Sequence, residues 1–529
     1  MTKKVLLTLL IIVAIIAVVT IFISNKGEKS HSKPADHPKQ IKEETSSSFR
    51  PNYHFSTPKE WKNDPQKPIY FDGKYHYYYL YNGDYSKKGG GTEWRHATSE
   101  DLVTWKDEGV AIPKFTNDNG DIWSGSVVED KENTAGFGKG AIIALVTQPS
   151  ADGGKQEQYL WYSTDRGKTF KAYEKPVLPN PGVEDFRDPK VVWDDQHNKW
   201  VMLMSEGARI GFYESDNLKD WTYTGGFQTN DIGITECPDL FRMRGDDGTE
   251  KWVLGASANG KESGQPNTYA YWTGDFDGKE FTPDNDEPKW LDHGLDWYGG
   301  VTFDDGEQDD KLEKRYALAW MNNWDYPDNT PTVKEGFNGV DSIVRELRLK
   351  KQDDQYVITS SPIEKLQDFV SSKNDIGDVE VDGSKTLDVK GDSYQIQADI
   401  SFEEAKNVGL RLRESDDQKR HLDVGVSKEG NYSYVNRGQT DQPDDAKKYV
   451  ESQAPFPKDK KDVHLNIFVD KTSVEVFVDD GKIVHSQEVF PPLNDQNITL
   501  FSDGGAATFK NVTIHHFKNV NDEKTGKGE

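Results

Sequence analysis

Five stretches of the chain follow one plan: polar or acidic residues, a turn, an apolar strand, a Gly/Asp turn and a second apolar strand. They are Trp61-Lys62-Asn63-Asp64-Pro65 before the run 69–79; Asp121-Ile122-Trp123-Ser124-Gly125-Ser126 before 141–146; Asp185-Phe186-Arg187-Asp188-Pro189 before 200–204; Thr235-Glu236-Cys237-Pro238-Asp239 before 251–254; and Asp296-Trp297-Tyr298-Gly299-Gly300 before 315–320. The spacing from Asp64 through Asp121, Asp188, Glu236 and Asp296 is roughly 50 to 65 residues, the range of a propeller blade with loop insertions. A second repeat runs out of phase with the first. Thr98–Trp105, Ser163–Phe170, Glu214–Trp221 and Thr273–Phe281 each put a hydroxyl and an acid in a turn and close on an aromatic, as the outer hairpin of a four-stranded blade does. Together the repeats predict a five-bladed β-propeller. If the first repeat marks the innermost strands, Asp64, Asp188 and Glu236 start inner strands and meet at one mouth of the central channel.

At 529 residues the chain exceeds one ordinary core. Residues 1–24 open with Lys3 and Lys4 and continue as an uncharged apolar run, 5–24, of about the twenty residues that a membrane-spanning helix needs. The run is expected to be an anchor or a cleaved signal, with Lys3 and Lys4 inside and all that follows outside the cell. Residues 25–50 are expected to be a solvated linker. The propeller is expected over 51–355, where short apolar segments alternate with Gly/Asp/Asn turns and no helical period is sustained. Alternating strands without the blade repeat then predict a β-sandwich over 356–518, with hairpins closed by Asp479-Asp480-Gly481 and Ser502-Asp503-Gly504-Gly505. A polar tail, 519–529, ends the chain.

A net charge of −26 disfavours nucleic acid, acidic polysaccharide and anionic membrane surfaces as partners, and leaves contact with a membrane to the N-terminal run alone. With 14 Trp and 23 Tyr in a polar chain, the favoured ligand is neutral, with flat apolar faces on which rings stack, as sugars have. The only cysteine, Cys237, excludes an intramolecular disulfide framework and has no histidine nearby in sequence to activate it; it reads as a small buried strand residue. No metal-ligand spacing and no cofactor motif is present in the sequence.

Carboxylates at one mouth, flanked by aromatics and facing a neutral ligand, point to glycoside hydrolysis: Asp64 as nucleophile on the anomeric carbon, Glu236 as proton donor to the leaving oxygen, and Arg187-Asp188 gripping ring hydroxyls. The residues that carry this chemistry resemble glycoside hydrolase family 32, the β-fructosidases, from Phe55 to about Phe517. The resemblance implies a five-bladed propeller followed by a sandwich, with Asp64 as nucleophile, Asp188 in Arg187-Asp188-Pro189 as transition-state stabiliser and Glu236 in Glu236-Cys237-Pro238 as acid/base. It further implies substrate contacts at Asn63, Arg187, Trp94, Trp123, Ser124, Tyr298 and Trp320. Residues 473–478 match the sandwich's own signature.

Two departures bear on specificity. Gln66-Lys67-Pro68 follows the Asn-Asp-Pro where many family members have Asn-Gly, and Leu80 stands where a glutamine is usual. Within the family the chain is most similar to members that cut β-2,6-linked fructan (levan), which makes levan the expected substrate and levanbiose with short oligomers the expected products. Alternatives at this stage are an exo-acting β-fructosidase releasing fructose, a fructosyltransferase, and a non-catalytic carbohydrate-binding propeller.

Overall fold

The computed structural model describes residues 48–260 and 267–521. The expected membrane run at 5–24 and nearly all of the expected linker lie outside the described residues, as do 522–529. Among the described residues no helix is long and apolar enough to cross a membrane.

The chain from Phe49 onward is all-β, and its first part is the expected five-bladed propeller. Blade 1 holds Glu60–Phe71, Lys74–Asn82, Glu93–Ser99 and Lys106–Ile112; blade 2 holds Gly125–Asp130, Ala141–Pro149, Gln156–Ser163 and Lys171–Ala172. Blade 3 holds Arg187–Asp194, Lys199–Ser205, Arg209–Ser215 and Thr222–Gln228; blade 4 holds Ile234–Arg244, Glu250–Asn259, Asn267–Phe276 and Phe281–Pro283. Blade 5 holds Tyr298–Asp304, Arg315–Trp320, Arg345–Gln352 and Gln355–Pro362. The first strand of each blade touches the first strand of the next, and that of blade 5 touches that of blade 1, so the inner strands form a closed ring. Phe337–Asn338 pairs in parallel with Glu60 and Trp61 and adds a strand from the blade 5 connection to blade 1.

The composition explains the layering. The second strand of blade 2, AIIALVTQP, opens with six apolar residues in a row because both its faces are covered, and only Pro149 is not buried. The turns of the out-of-phase repeat share one device. Asp101, Asp165, Asn217 and Asp277 each accept two backbone N–H groups from residues two to four further on, and the next residue, Leu102, Arg166, Leu218 or Gly278, is left-handed.

The expected junction at 355/356 falls at the start of Gln355–Pro362. That strand pairs along its length with Arg345–Gln352, so the propeller's last blade runs to Pro362. Beyond it lies one sheet of ten strands folded into two layers. Asn497–Phe517 belongs to both, pairing Asn407–Glu414 through its first half and Tyr394–Ser401 through its second. The first and last described residues are tied to the domains. Arg50 lies over the Phe337 ring at 3.6 Å, and Asn521 donates to the carbonyls of Pro51 and His54 at 2.8 and 3.0 Å.

Propeller and sandwich share a buried apolar cluster in which Phe468, Phe477 and Phe517 meet Tyr77, Tyr79 and Phe303. A buried ionic group sits beside it. Glu475, in the sandwich signature 473–478, accepts from Arg345 Nη2 at 3.0 Å and from Ile343 N at 2.9 Å, and Arg345 also reaches Asp292 at 2.8 Å. His54 spans Asp470 and Glu475, its two ring nitrogens each 2.8 Å from a carboxylate oxygen. Burial pushes the His54 imidazole down, but the two carboxylates outweigh it and raise it to about 9. A base whose folded pKa is raised contributes stability in full below its ordinary value, and that contribution is lost as pH rises through the folded one. Calorimetry is therefore expected to show the melting temperature falling between about pH 6.5 and 9, with His54→Gln less stable at pH 6 and free of that part of the slope.

Candidate active site

A bulge shapes the start of the inner strand in four of the five blades. Pairing slips between Lys62 and Pro65 in blade 1, opposite Arg187 in blade 3, between Glu236 and Asp239 in blade 4, and between Tyr298 and Val301 in blade 5. In blades 3, 4 and 5 a left-handed residue sits at the slip: Asp188 at φ 64°, Cys237 at 48° and Gly299 at 65°. For Asp188 and Cys237 that conformation costs about 1 kcal/mol each, strain of the kind found where a side chain is re-aimed for function. At Gly299 the reason for glycine is direct, because an added Cβ would lie 3.1 Å from Asp64 Oδ1. The bulges were not foreseen from the sequence, although the prolines at 65, 189 and 238, each one or two residues after a site acid, mark where ladder hydrogen bonds lapse.

These bulges bring the three carboxyl groups to the wall of one open cavity of about 410 Å³, inside the usual ~300–1,000 Å³ range of ligand pockets. Asp64 Oδ2 accepts from the Ser124 hydroxyl at 2.7 Å, while Asp64 Oδ1 has no hydrogen-bond partner among the described residues. Asp188 Oδ2 accepts from the Cys237 backbone N–H at 2.9 Å. Glu236 Oε1 accepts from Arg187 Nε and Nη2 at 3.1 and 3.0 Å, and its other oxygen accepts from the Tyr298 hydroxyl. Cys237 Sγ stands between the aspartates, 3.7 Å from an oxygen of each.

The electrostatics follow from packing acids together out of water. Burial pushes the Asp64 carboxyl up; the Ser124 hydrogen bond opposes this, and the charge of Glu236 adds to it. Asp188 is raised well above the usual carboxyl range, by burial first and then by Glu236, with Arg187 pulling the other way. Burial, Asp188 and Asp64 together push the Cys237 thiol far up, so it stays protonated and inert, in keeping with a small buried strand residue.

The remaining expected contacts divide. Asn63, Arg187, Trp123 and Ser124 line the cavity. Arg187 does not pair with its neighbour Asp188; it bridges Glu236 and Asp185. Tyr298 is buried and reaches Glu236 instead of open space. Trp94 and Trp320 are corrections, as both rings are fully buried. Trp94 packs between blades 1 and 2 with its indole N–H on the Trp123 carbonyl, and Trp320 sits beneath Trp61 and Trp324 at ring separations of 5.9 and 4.9 Å. Neither can stack on a sugar. The ring faces at the cavity belong to Trp61, Tyr85, Trp123 and Trp324, with Asp121 and Asp328 at its edge. Of these rings only Trp123 was expected; Trp61, Tyr85 and Trp324 were missed as contacts, and Trp324 lies in Asn322-Asn323-Trp324-Asp325-Tyr326-Pro327, where aromatic residues among turn formers were the available signal. Leu80 lines the cavity, whereas Gln66 is buried behind it, its side chain bonded to Ser124 Oγ and Gly125 N. Among the described residues no cluster of three or more His, Cys, Asp or Glu is arranged to hold a metal.

A five-bladed propeller with three acids at one mouth and a sandwich behind it has the build of a fructan-type glycoside hydrolase. The chain belongs to glycosyl hydrolases family 32: the family's N-terminal domain matches residues 54–361 and its C-terminal domain residues 363–516. It is 65% identical over 488 residues to a levanbiose-producing levanase of Bacillus subtilis (strain 168), covering 92% of this chain and 94% of that one. It is 68% identical over 394 residues to a levanbiose-producing levanase of Geobacillus stearothermophilus, covering 74% of this chain and all of that one. Among solved structures it resembles the exo-inulinase of Aspergillus awamori, with a TM-score of 0.79 at 30% identity over 89% of this chain and 98% of that one.

A carboxyl raised by folding takes up a proton as the chain folds, so above its ordinary pKa its charge costs stability that grows with pH until the raised value is passed. Asp188→Asn keeps an acceptor for the Cys237 N–H and carries no charge. It is expected to melt a few degrees higher than the parent at pH 7, with the difference shrinking toward pH 4; melting curves across that range check it.

Proposed function

We propose that this chain is a retaining glycoside hydrolase that cleaves the β-2,6 bonds of levan and releases levanbiose with short fructo-oligosaccharides. The observation that carries the chemistry is that Asp64, Asp188 and Glu236 line one cavity, each held by a donor from a neighbouring blade. Asp64 lines the cavity with Oδ2 held by the Ser124 hydroxyl, and its other oxygen lies against Gly299, so the carboxylate is fixed in one orientation at the wall. In this reading Asp64 attacks the anomeric carbon of a fructosyl unit and Glu236 gives a proton to the departing oxygen, forming a fructosyl-enzyme ester. Glu236 then takes a proton from water, which attacks the same carbon and frees Asp64. Arg187 and Tyr298 keep the Glu236 carboxyl in place through both steps. Asp188 accepts ring hydroxyls, and its contact strengthens as positive charge grows on the ring.

The substrate follows from relatives named for levan at 65 and 68% identity and from Leu80, which puts an apolar side chain where many family members have an amide. In the same reading the catalytic part works outside the cell, held by residues 5–24 or released after cleavage. Protease treatment of intact cells is expected to free active enzyme or to find it already in the medium; activity confined to the cytosol rules this out.

Asp64→Ala is expected to lower kcat by at least about 10⁴-fold and Glu236→Ala by about 10²- to 10⁴-fold, both folding normally, with Glu236→Ala partly rescued by a substrate whose leaving group needs no proton. Time courses on levan and inulin, with the anomeric form of the first product read by NMR, test the whole reading. Levanbiose from levan ahead of free fructose, formed with retention, is the expected result; fructose as sole early product or faster cutting of inulin overturns the levan assignment, and inversion overturns the role of Asp64.

A further inference from the structure

Residues 321–330 cross the rim of the cavity between Arg315–Trp320 and the short helix Pro331–Glu335, and they carry Trp324 and Asp328. The segment joins no sheet, and the propeller ties it at two points, where Met321 N–H donates to the Val340 carbonyl and Asn338 donates to the Pro327 carbonyl, each at 2.9 Å. On the cavity side the Trp324 ring, 43% exposed, rests on Trp320, and the Tyr85 hydroxyl donates to the Asp328 carbonyl at 3.1 Å. On the other side Asn323 donates to the Leu295 carbonyl of the propeller at 2.9 Å, and further partners come from the sandwich. The Tyr449 hydroxyl donates to Asp325 Oδ2 at 2.6 Å, and the Tyr449 ring packs on that of Tyr326 with centroids 4.9 Å apart. Buried Arg437 donates to the Tyr326 hydroxyl at 2.9 Å, to Asp296 at 2.8 Å and to the Tyr449 carbonyl at 2.9 Å. Asp445 accepts from Asn329 at 2.8 Å. Asp296 also takes the Tyr326 hydroxyl at 2.6 Å and lies two residues before Tyr298, which holds Glu236.

A neutral sugar chain is held by ring faces and by acceptors for its hydroxyls, and both count only when correctly placed. Trp324 and Asp328 supply one of each, and their segment is held in place from the second domain. We infer that Tyr449 is a positioning residue for the substrate cavity: it fixes the 321–330 segment from the sandwich, and through Trp324 and Asp328 it sets how many fructosyl units seat before the cut. This rests on the levan reading above. It gives the sandwich a part in product length, beyond bracing the propeller.

Tyr449→Phe keeps the ring on Tyr326 and removes the hydroxyl that bonds Asp325. Its KM for levan is expected to rise roughly three- to tenfold, the effect of one lost hydrogen bond, with a lower ratio of levanbiose to fructose among the first products and an almost unchanged melting temperature. Asp445→Ala, at the exposed end of the contact, is expected to shift both readouts the same way by less, and Trp324→Ala to reproduce the product shift. Unchanged KM and product ratio in Tyr449→Phe and Asp445→Ala overturn the proposal, as does a fall in melting temperature with the ratio unmoved. The parent enzyme run alongside separates the two ideas: if it releases no levanbiose the levan reading fails, and the positioning role is then judged on KM for the β-fructan it does cut.

Discussion

Like charges brought together out of water repel by about 4 kcal/mol per pair at 4 Å in a medium of intermediate dielectric, and this site gathers three carboxyl groups around one cavity. What makes the arrangement tolerable is that each is held by a neighbouring blade. Asp64 of blade 1 takes a hydroxyl leading into blade 2, Asp188 of blade 3 takes a backbone N–H of blade 4, and Glu236 of blade 4 takes a guanidinium of blade 3 and a phenol of blade 5. The site therefore exists only in the closed ring. Its donors cannot be collected from any single blade, and the interblade packing that positions them is also what keeps water away from the acids.

That cross-blade logic explains what could be read from the sequence. The repeat placed Asp64, Asp188 and Glu236 at matching points of different blades, and the closed ring of inner strands makes points of that kind neighbours. The wrong assignments came from side-chain direction. Trp94 lies beside residues that do reach the cavity, yet its ring turns into the packing between blades 1 and 2. Trp320 ends a second strand, beneath the rings it supports. A bulge changes which face a residue presents, and nothing in a period-two pattern shows where one occurs. The pairing of Arg187 with Glu236 instead of Asp188 has the same origin, since left-handed Asp188 points away from its neighbour.

The second domain was visible as alternating strands, but its engagement with the first was not. Glu475 reads in sequence as one polar residue in the run Ser-Val-Glu-Val-Phe-Val, which normal alternation would face to solvent; here the strand is buried throughout and the carboxylate pairs with His54 and Arg345. Its partners lie 421 and 130 residues away. Buried ions of this kind contribute little net stability when intact and cost several kcal/mol when one partner is lost, so they register the two domains more than they bind them. The binding comes from the shared cluster around Phe468, Phe477 and Phe517.

Phe337–Asn338 joins Glu60 and Trp61 across most of the propeller's length, and this bears on how the molecule is made. A chain leaving the ribosome N-terminus first displays the free edge of Glu60–Phe71 through the synthesis of three further blades and half of the last, and edges of that kind invite pairing with other chains. Lys62 and Lys67 place charge on that strand during the wait. Only when the blade 5 connection has been made can Glu60 and Trp61 find their partner within the chain, so the stretch that leads into the nucleophile is the one that waits longest for its neighbour.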